Sequence, residues 1–145
     1  MQRMQQKTTG NLLEELLQTE KLDSYMEENR AELLDTTLAQ ELQKLMEGKP
    51  FSKADLAFRA GLSRVYIYQI FSGVKVPSRD SLICLCFALE LEPDEIMDLF
   101  KHTGYPALYP RDRRDSVILF AASRHKTLIE LEDMLEQQGL SGMQR

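Results

Sequence analysis

The stretch SKADLAFRAGLSRVYIYQIFSG, residues 52–73, decides the fold of this protein. Ser52 and Ser63 can each cap the N-terminus of a short helix. Gly61 permits the positive φ that a tight turn between two helices requires. Apolar residues recur at the spacing of one helix face, and we expect this face to point inward. They are Leu56, Ala57, Ile67 and Ile70. The stretch therefore predicts two short helices packed across a tight turn.

The second helix of this pair, about residues 63–72, has an outward face of mixed chemistry. The residues left pointing outward are Arg64, Val65, Tyr66, Tyr68 and Gln69. A helix of this length is roughly 15 Å long and fits the major groove of duplex DNA. Two tyrosines on one exposed face also suit a protein interface. The residues alone therefore leave two interpretations open, DNA binding and protein binding.

The spacing of these residues resembles the pattern of the Cro/repressor-type (XRE-type) helix-turn-helix family. That pattern is S-x-x-x-L-A-x-x-x-G-x-S-x-x-x-I-x-x-I-x-x-G followed by K-x-P-S, and here it runs from Ser52 to Ser78. The likeness covers about residues 37–102. It implies an all-α protein whose centre, residues 37–104, is a five-helix Cro/repressor-like domain. It also implies binding to double-stranded operator DNA as a homodimer, and a role in transcription regulation.

The resemblance implies base contacts for three residues of the recognition helix. Arg64, Val65 and Gln69 match positions that face base edges. Arginine can bind guanine through two hydrogen bonds, glutamine can bind adenine, and valine can contact the methyl group of thymine. Phe71 stands where the family often has glutamate, and we expect it to pack in the interior instead.

The other contacts that the resemblance implies are with the DNA backbone. The family commonly has a glutamine at the position of Lys53, and a lysine there keeps a phosphate contact. The residues expected to contact or lie near phosphates are Lys53, Ser63 at the helix N-terminus, Tyr66, Tyr68 and Lys75. Arg79 is a weaker candidate for a phosphate contact.

The charge of the chain is unevenly distributed. The formal net charge is −5, which by itself argues against a nucleic-acid binder. Residues 49–80, however, carry six basic and two acidic side chains, whereas residues 1–48 and 81–145 are acidic. A local basic segment can still contact phosphates, because charges are screened beyond about 8–10 Å at cellular salt. The acidic flanks predict weak non-specific DNA binding and a greater dependence on specific contacts.

Helical extensions flank the predicted domain. Residues 1–36 form an acidic, leucine-striped arm, which is either a dimerisation or partner-docking element or an extra layer on the domain's own core. Residues 105–145 form a helical pair, with Arg111, Arg113 and Arg114 at its entrance. Because two aspartates lie among these arginines, we expect local salt bridges, and a second phosphate patch is the alternative.

The complete layout resembles a group of small regulators from Firmicutes. The likeness rests on Val65–Gly73 and on Gly104–Asp115, together with the acidic arm. It implies a bacterial transcription regulator. The alternative function is a protein-interaction module on the same fold, an antitoxin or a regulatory adaptor. A protein partner would bind through the acidic N-terminal arm or the C-terminal helices.

A ligand sensor in the C-terminal extension is a third, weaker interpretation. Its pocket would be lined by Tyr105, Leu108, Tyr109 and Phe120. Packing of these residues in the core is the simpler explanation.

Capping residues indicate where the outer helices begin. We expect Asn11 to cap the first helix and Thr127 to cap the last, each with a glutamate three residues later. We expect residues 1–8 and 141–145 to be frayed, because chain ends are poorly ordered unless they are tied down.

Several classes of function receive no support from the sequence. Cys84 and Cys86 lie on different faces of one helix, with no further Cys or His near enough to complete a zinc site, so we expect buried thiols. The chain has no catalytic signature and no phosphate-binding glycine loop, so we expect neither an enzyme nor a cofactor. Without a long apolar run or an apolar signal segment, we expect a cytoplasmic protein that does not bind membranes.

Overall fold

The structure, a computed structural model, describes residues 7–29 and 37–145, and within them it contains helices and no strands. The expected all-α class is therefore confirmed for these residues. The chain divides into two compact units, Met1–Asp35 and Thr36–Arg145. No helix in the described part of the chain is both long and apolar enough to cross a membrane.

The first unit contains α1, Thr9–Gln18, and α2, Leu22–Glu28. The prediction that Asn11 caps α1 is wrong. The Thr8 hydroxyl accepts a hydrogen bond from the Asn11 N–H at 3.1 Å, so Asn11 is the third residue of the helix. Threonine and asparagine are both good caps, and local pattern does not decide between them.

The second unit contains seven helices, whose ends agree closely with the capping and glycine signals. They are α3 Leu38–Met46, α4 Lys53–Ala60, α5 Arg64–Phe71, α6 Arg79–Ala88, α7 Pro93–Thr103, α8 Arg113–Ser123 and α9 Leu128–Gln137. The Ser52 hydroxyl caps α4 and the Ser63 hydroxyl caps α5, as predicted. Thr127 caps α9 in a capping box with Glu130, which is also confirmed.

One continuous hydrophobic core runs through α3 to α9. The four residues predicted to face inward are all buried, as are Cys84 and Cys86, so both predictions are confirmed. Burial raises the pKa of the Cys84 thiol to about 11, which leaves it protonated and unreactive at neutral pH. α6 lies at the centre of this core, because every residue from Ser81 to Ala88 is buried.

Two arginine–aspartate pairs connect α6 to α8. The Arg79 guanidinium donates to both carboxylate oxygens of Asp115 at 3.0 Å, and the Arg114 guanidinium donates to both oxygens of Asp80 at 2.9 and 2.8 Å. The prediction of local salt bridges within the arginine cluster is therefore wrong for Arg114. Its partner is 34 residues away in the chain, and sequence proximity could not indicate it.

Residues 141–145 are ordered, and the prediction that they are frayed is wrong. The Met143 side chain is buried, and the Gln144 N–H donates to Asp80 at 2.8 Å. Arg145 Nε donates to the Ala60 carbonyl oxygen at 3.2 Å, and Arg145 Nη1 donates to Glu132 at 3.2 Å. These long-range contacts tie the segment down.

The aromatic segment that follows α7 belongs in part to the core. Leu108 is buried, and the Tyr105 hydroxyl donates to the Pro77 carbonyl oxygen at 2.6 Å. Core packing is thus confirmed for these two residues. Tyr109 and Phe120 are each half exposed.

Candidate nucleic-acid interface

The turn between α4 and α5 sets the direction in which α5 leaves the core. Gly61 has a φ of +67°, the left-handed conformation that was expected of it. The Leu62 N–H then donates to the Ala57 carbonyl oxygen at 3.0 Å, and the Leu62 side chain packs against the core. Ile67, Ile70 and Phe71 hold the inner side of α5 in the core. The opposite side of α5 faces away from the core.

The outer face of α5 is formed by fewer residues than the sequence predicts. Arg64, Val65 and Tyr68 are exposed, with fractional exposures of 67% for Val65 and 51% for Tyr68, and Gln69 is half-buried. Tyr66 was expected to point outward, but it is half-buried and packs against the core. It lies four residues before Ile70, on the inward side of the helix, which explains the difference.

Lys53 packs against α5 instead of extending into solvent. Its ammonium nitrogen lies 5.1 Å from the ring centroid of Phe71 and 6.0 Å from that of Tyr68. Both distances are in the range of a cation–π interaction. Lys53 thus contacts α5 through two of its aromatic rings.

A shallow groove lies along this side of α5. The residues that line it are Gln43, Lys53, Val65, Tyr68, Gln69, Phe71 and Ser72. Gln43 and Ser72 were not predicted as site residues. Gln43 comes from α3, and only the packing of α3 against α5 brings it to the groove. Ser72 follows the last residue of α5 and was read only as the end of the helix.

The loop after α5 is folded back onto the helix. Gly73 has a φ of +82°, and the N–H groups of Val74 and Lys75 both donate to the Gln69 carbonyl oxygen, at 2.9 and 3.1 Å. Lys75 is exposed beside this end of α5. Val74 and Val76 are exposed as well, by 73% and 80%. The loop is therefore a fixed extension of the exposed face of α5.

Internal contacts occupy some of the positive charge of residues 49–80. The Arg59 guanidinium pairs with Glu90 and also donates to the Ala88 carbonyl oxygen. Arg79 donates to Asp115 and to two backbone carbonyl oxygens of residues 106 and 107. Arg79 was expected to be only a weaker candidate for a phosphate contact, and this stays a prediction; its internal hydrogen bonds leave it few free donors. Among the described residues, no ion pair engages Lys49, Arg64 or Lys75.

A second exposed surface lies on α4. Phe58 is 89% exposed, and it lines a shallow depression with Phe51, Ala54, Asp55, Arg59 and Arg64. The hydrogen bond from the Ser52 N–H has the largest effect on the pKa of Asp55, and the Ser52 hydroxyl has the next largest. Both lower this pKa, and the carboxylate is charged at neutral pH. Sequence reasoning missed Phe58, because it had no reason to distinguish an exposed phenylalanine from a buried one on a short helix.

The predicted site residues thus occupy different environments. Arg64, Val65 and Tyr68 share the outer face of α5, and Lys53 joins them across the groove. Ser63 caps α5, and Lys75 lies in the loop that follows it. In the described ranges, no group of three or more His, Cys, Asp or Glu side chains is arranged to hold a metal ion.

Residues 41–102 match the model of a protein family described as the Cro/C1-type HTH DNA-binding domain. The match begins within α3, includes α4, α5 and α6, and ends one residue before the end of α7. Neither a curated protein nor a solved structure matches the chain.

Proposed function

We propose that this protein, whose residues 41–102 match the Cro/C1-type helix-turn-helix DNA-binding domain, recognises a specific duplex sequence through α5 and thereby regulates transcription. The observation that carries the proposal is the composition of the outer face of α5. Its exposed residues offer a guanidinium at Arg64, an apolar surface at Val65 and an aromatic ring at Tyr68. These groups can distinguish base edges in the major groove.

Three residues read the bases in this proposal. Arg64 is the first residue of α5 and binds guanine, since the N-terminal residues of a recognition helix reach the base edges. Val65 contacts a thymine, and Gln69, one helical turn further on, contacts adenine. Val65 and Gln69 line the same groove, which supports their acting together.

Other residues fix the position of the protein on the duplex. Lys53 and Lys75 contact phosphates on either side of α5, and the N-terminus of α5 at Ser63 contributes its free N–H groups. In this proposal the Tyr68 hydroxyl lies near the DNA backbone. Tyr66 supports α5 from the core side, in keeping with its half-buried position.

We expect the protein to bind as a homodimer at two half-sites. In helix-turn-helix dimers, half-sites are separated by about one turn of DNA, roughly 34 Å. The N-terminal unit exposes apolar side chains that suit contact with a second copy, among them Leu13 and Leu17. Non-specific binding should be weak, because the basic segment has lost Arg59 and Arg79 to internal pairs.

The test is selection of randomised duplex oligonucleotides with the purified protein at physiological ionic strength. Enrichment of one sequence is the expected result, and a palindromic sequence would give the half-site spacing as well. If no sequence is enriched over the starting pool, sequence-specific recognition is wrong. Repeating the selection at two salt concentrations separates specific contacts from phosphate attraction.

Phe58 favours a second candidate function, a protein-interaction module. An almost fully exposed phenylalanine on α4 is suited to the centre of a protein interface, where aromatic residues are enriched. In this candidate the partner covers Phe58, and the protein lacks salt-dependent affinity for DNA. Failure of the DNA selection, together with a stoichiometric protein complex that Phe58→Ser abolishes, would favour it over DNA binding.

A further inference from the structure

The loop that carries Lys75 is fixed at its two ends by different parts of the chain. At its beginning, the N–H groups of Val74 and Lys75 donate to the Gln69 carbonyl oxygen and so connect the loop to α5. At its end, Pro77 is buried, and its carbonyl oxygen accepts a hydrogen bond of 2.6 Å from the Tyr105 hydroxyl. The residues between these two points are exposed. The path of the loop therefore depends on both attachments.

Tyr105 is itself held in place, by its backbone and by its ring. Gly104 ends α7 with a φ of +79°, and the Tyr105 N–H then donates to the Phe100 carbonyl oxygen at 3.0 Å. The Tyr105 ring lies 5.7 Å, between centroids, from the ring of Phe100, which is fully buried. Arg79 holds the next part of the segment by donating to the carbonyl oxygens of residues 106 and 107. The hydroxyl of Tyr105 is thus attached to a fixed part of the fold.

The hydrogen bond from Tyr105 to Pro77 has no substitute nearby. Among the described residues, no other group donates to the Pro77 carbonyl oxygen. Burial, and to a lesser degree the neighbouring Tyr66, raises the pKa of Tyr105, so its hydroxyl keeps the proton that it donates at neutral pH. A buried carbonyl that loses its donor costs free energy, and a shift of the exposed loop towards water would relieve that cost. Loss of the hydroxyl should therefore move the loop and leave the core in place.

We propose that Tyr105, which lies outside the matched residues 41–102, is a positioning residue for DNA binding: through Pro77 it holds the loop after α5 so that Lys75 meets a phosphate of the duplex. The inference rests on the proposed function, which assigns a phosphate contact to Lys75. Lys75 is exposed, and no ion pair in the described part of the chain engages its ammonium group. A loop that is already held in its bound conformation loses less entropy on binding than a loose one.

The first test needs no DNA and uses Tyr105→Phe, which removes the hydroxyl and keeps the ring. Hydrogen exchange of the Val74 and Lys75 N–H groups, followed by NMR, should become about fivefold faster, the factor that corresponds to one net hydrogen bond. Tyr109→Phe is the matched control, because Tyr109 is half exposed and its hydroxyl makes no hydrogen bond within the described ranges. Equal exchange in the unmodified protein and both variants overturns the proposal. Faster exchange in α6 as well would indicate a general loss of stability and also overturns it.

The second test measures affinity for the duplex that the selection enriches, by fluorescence anisotropy at several salt concentrations. Lys75→Gln should weaken binding and reduce the slope of log affinity against log salt by about 0.9, the value for one phosphate contact. Tyr105→Phe should weaken binding about fivefold, in line with one net hydrogen bond. In a Lys75→Gln background the same change should have no effect, because the contact that it supports is already absent. Tyr109→Phe should leave the affinity unchanged in both backgrounds.

The possible failures are distinguishable. If the selection enriches no duplex, the proposed function fails, and this inference fails with it. If a duplex is enriched but Lys75→Gln binds it with an unchanged salt slope, Lys75 contacts no phosphate, and the inference is wrong while sequence recognition stands. If Tyr105→Phe weakens binding equally in both backgrounds, its hydroxyl acts on the fold as a whole and not through Lys75. If Tyr105→Phe binds as tightly as the unmodified protein, the positioning role is wrong.

Discussion

Arg145 Nε donates to the carbonyl oxygen of Ala60 at 3.2 Å, across 85 positions of the chain. Ala60 is the last residue of α4, and the next residue, Gly61, makes the turn into α5. A Cβ atom at Gly61 would lie 2.8 Å from Arg145 Nε. The guanidinium therefore occupies the space that a side chain at the turn would need, and it satisfies a carbonyl at the end of α4.

We expect Gly61→Ala to lower the free energy of unfolding by about 1–2 kcal/mol, because the left-handed φ disfavours a Cβ and because Arg145 must move away. Gly48→Ala is the matched control. Gly48 also has a positive φ, +77°, but a Cβ there would meet no atom within 4 Å. Chemical denaturation should show a larger loss of unfolding free energy for Gly61→Ala than for Gly48→Ala. In an Arg145→Ala background, the two glycine substitutions should cost the same. Equal losses in the unmodified background would contradict the steric role of Arg145.

Asp115 should matter far more to stability than an exposed carboxylate in a similar pair. Its side chain is 9% exposed and accepts two bonds from Arg79 and one from the Tyr109 N–H. We expect Asp115→Asn to cost about 3 kcal/mol, because it leaves the partly buried guanidinium of Arg79 without its counter-charge.

Glu90→Gln is the control for Asp115→Asn, since Glu90 pairs with Arg59 at the surface and is 68% exposed. Exposed pairs contribute about 0–1 kcal/mol. The two losses are compared by urea denaturation at neutral pH. If the two variants were equally stable, burial of the Arg79 pair would have no energetic consequence.

The Asp80 carboxylate makes stability depend on pH in the acid range. Burial raises its pKa, but the hydrogen bonds from Arg114 and from the Gln144 N–H, with the charges of Arg114 and Arg79, outweigh this effect and hold the pKa below its ordinary value. A lowered pKa in the folded state stabilises the protein above the unfolded-state pKa, about 3.9. This contribution is lost as the pH falls through the lower folded-state value.

We therefore expect Asp80→Asn to flatten the decrease in unfolding free energy between about pH 5 and the acid limit. Thermal unfolding as a function of pH measures this slope. Asp94→Asn changes a carboxylate on α7 whose side chain has no ion pair among the described residues, and it serves as the control. A slope that is the same in Asp80→Asn and in the unmodified protein would exclude Asp80 as a source of the dependence.

Arg64→Ala should separate specific from non-specific binding. If Arg64 binds guanine, its loss should weaken binding to the selected duplex by about 1–3 kcal/mol and scarcely change binding to random DNA. Arg124→Ala removes one exposed arginine at the end of α8, where it stacks on Phe120, and should leave the preference intact. Anisotropy titrations with both duplexes provide the comparison. An equal loss on the two duplexes for Arg64→Ala would indicate a phosphate contact.

Local chemistry made much of the second unit predictable. Ser52, Ser63 and Thr127 cap helices as expected, because a hydroxyl before a helical pattern satisfies a backbone N–H wherever the helix lies. The inward residues of α4 and α5 follow from helical spacing alone. Both kinds of signal depend only on residues a few positions apart.

The long-range contacts of two arginines were missed for a different reason. Arg114 finds its partner on α6 and Arg145 finds one on α4, and neither contact leaves a trace in the neighbouring sequence. Tyr66 is an exception, because its spacing of four residues from Ile70 already places it on the inward side of α5. The groove beside α5 likewise needs Gln43 from α3, which helical spacing alone does not bring there.

The complete burial of α6 has a consequence for which part of the chain can fold by itself. From Ser81 to Ala88 the helix has no solvent-facing side, and a helix that is apolar all round needs neighbours on every side. α8 and α9 supply some of those neighbours, although they lie outside the matched residues 41–102. We therefore expect α3 to α9 to fold as one unit. In the proposed function, a new DNA specificity would require substitutions on the outer face of α5, while α3 to α9 stay unchanged as its scaffold.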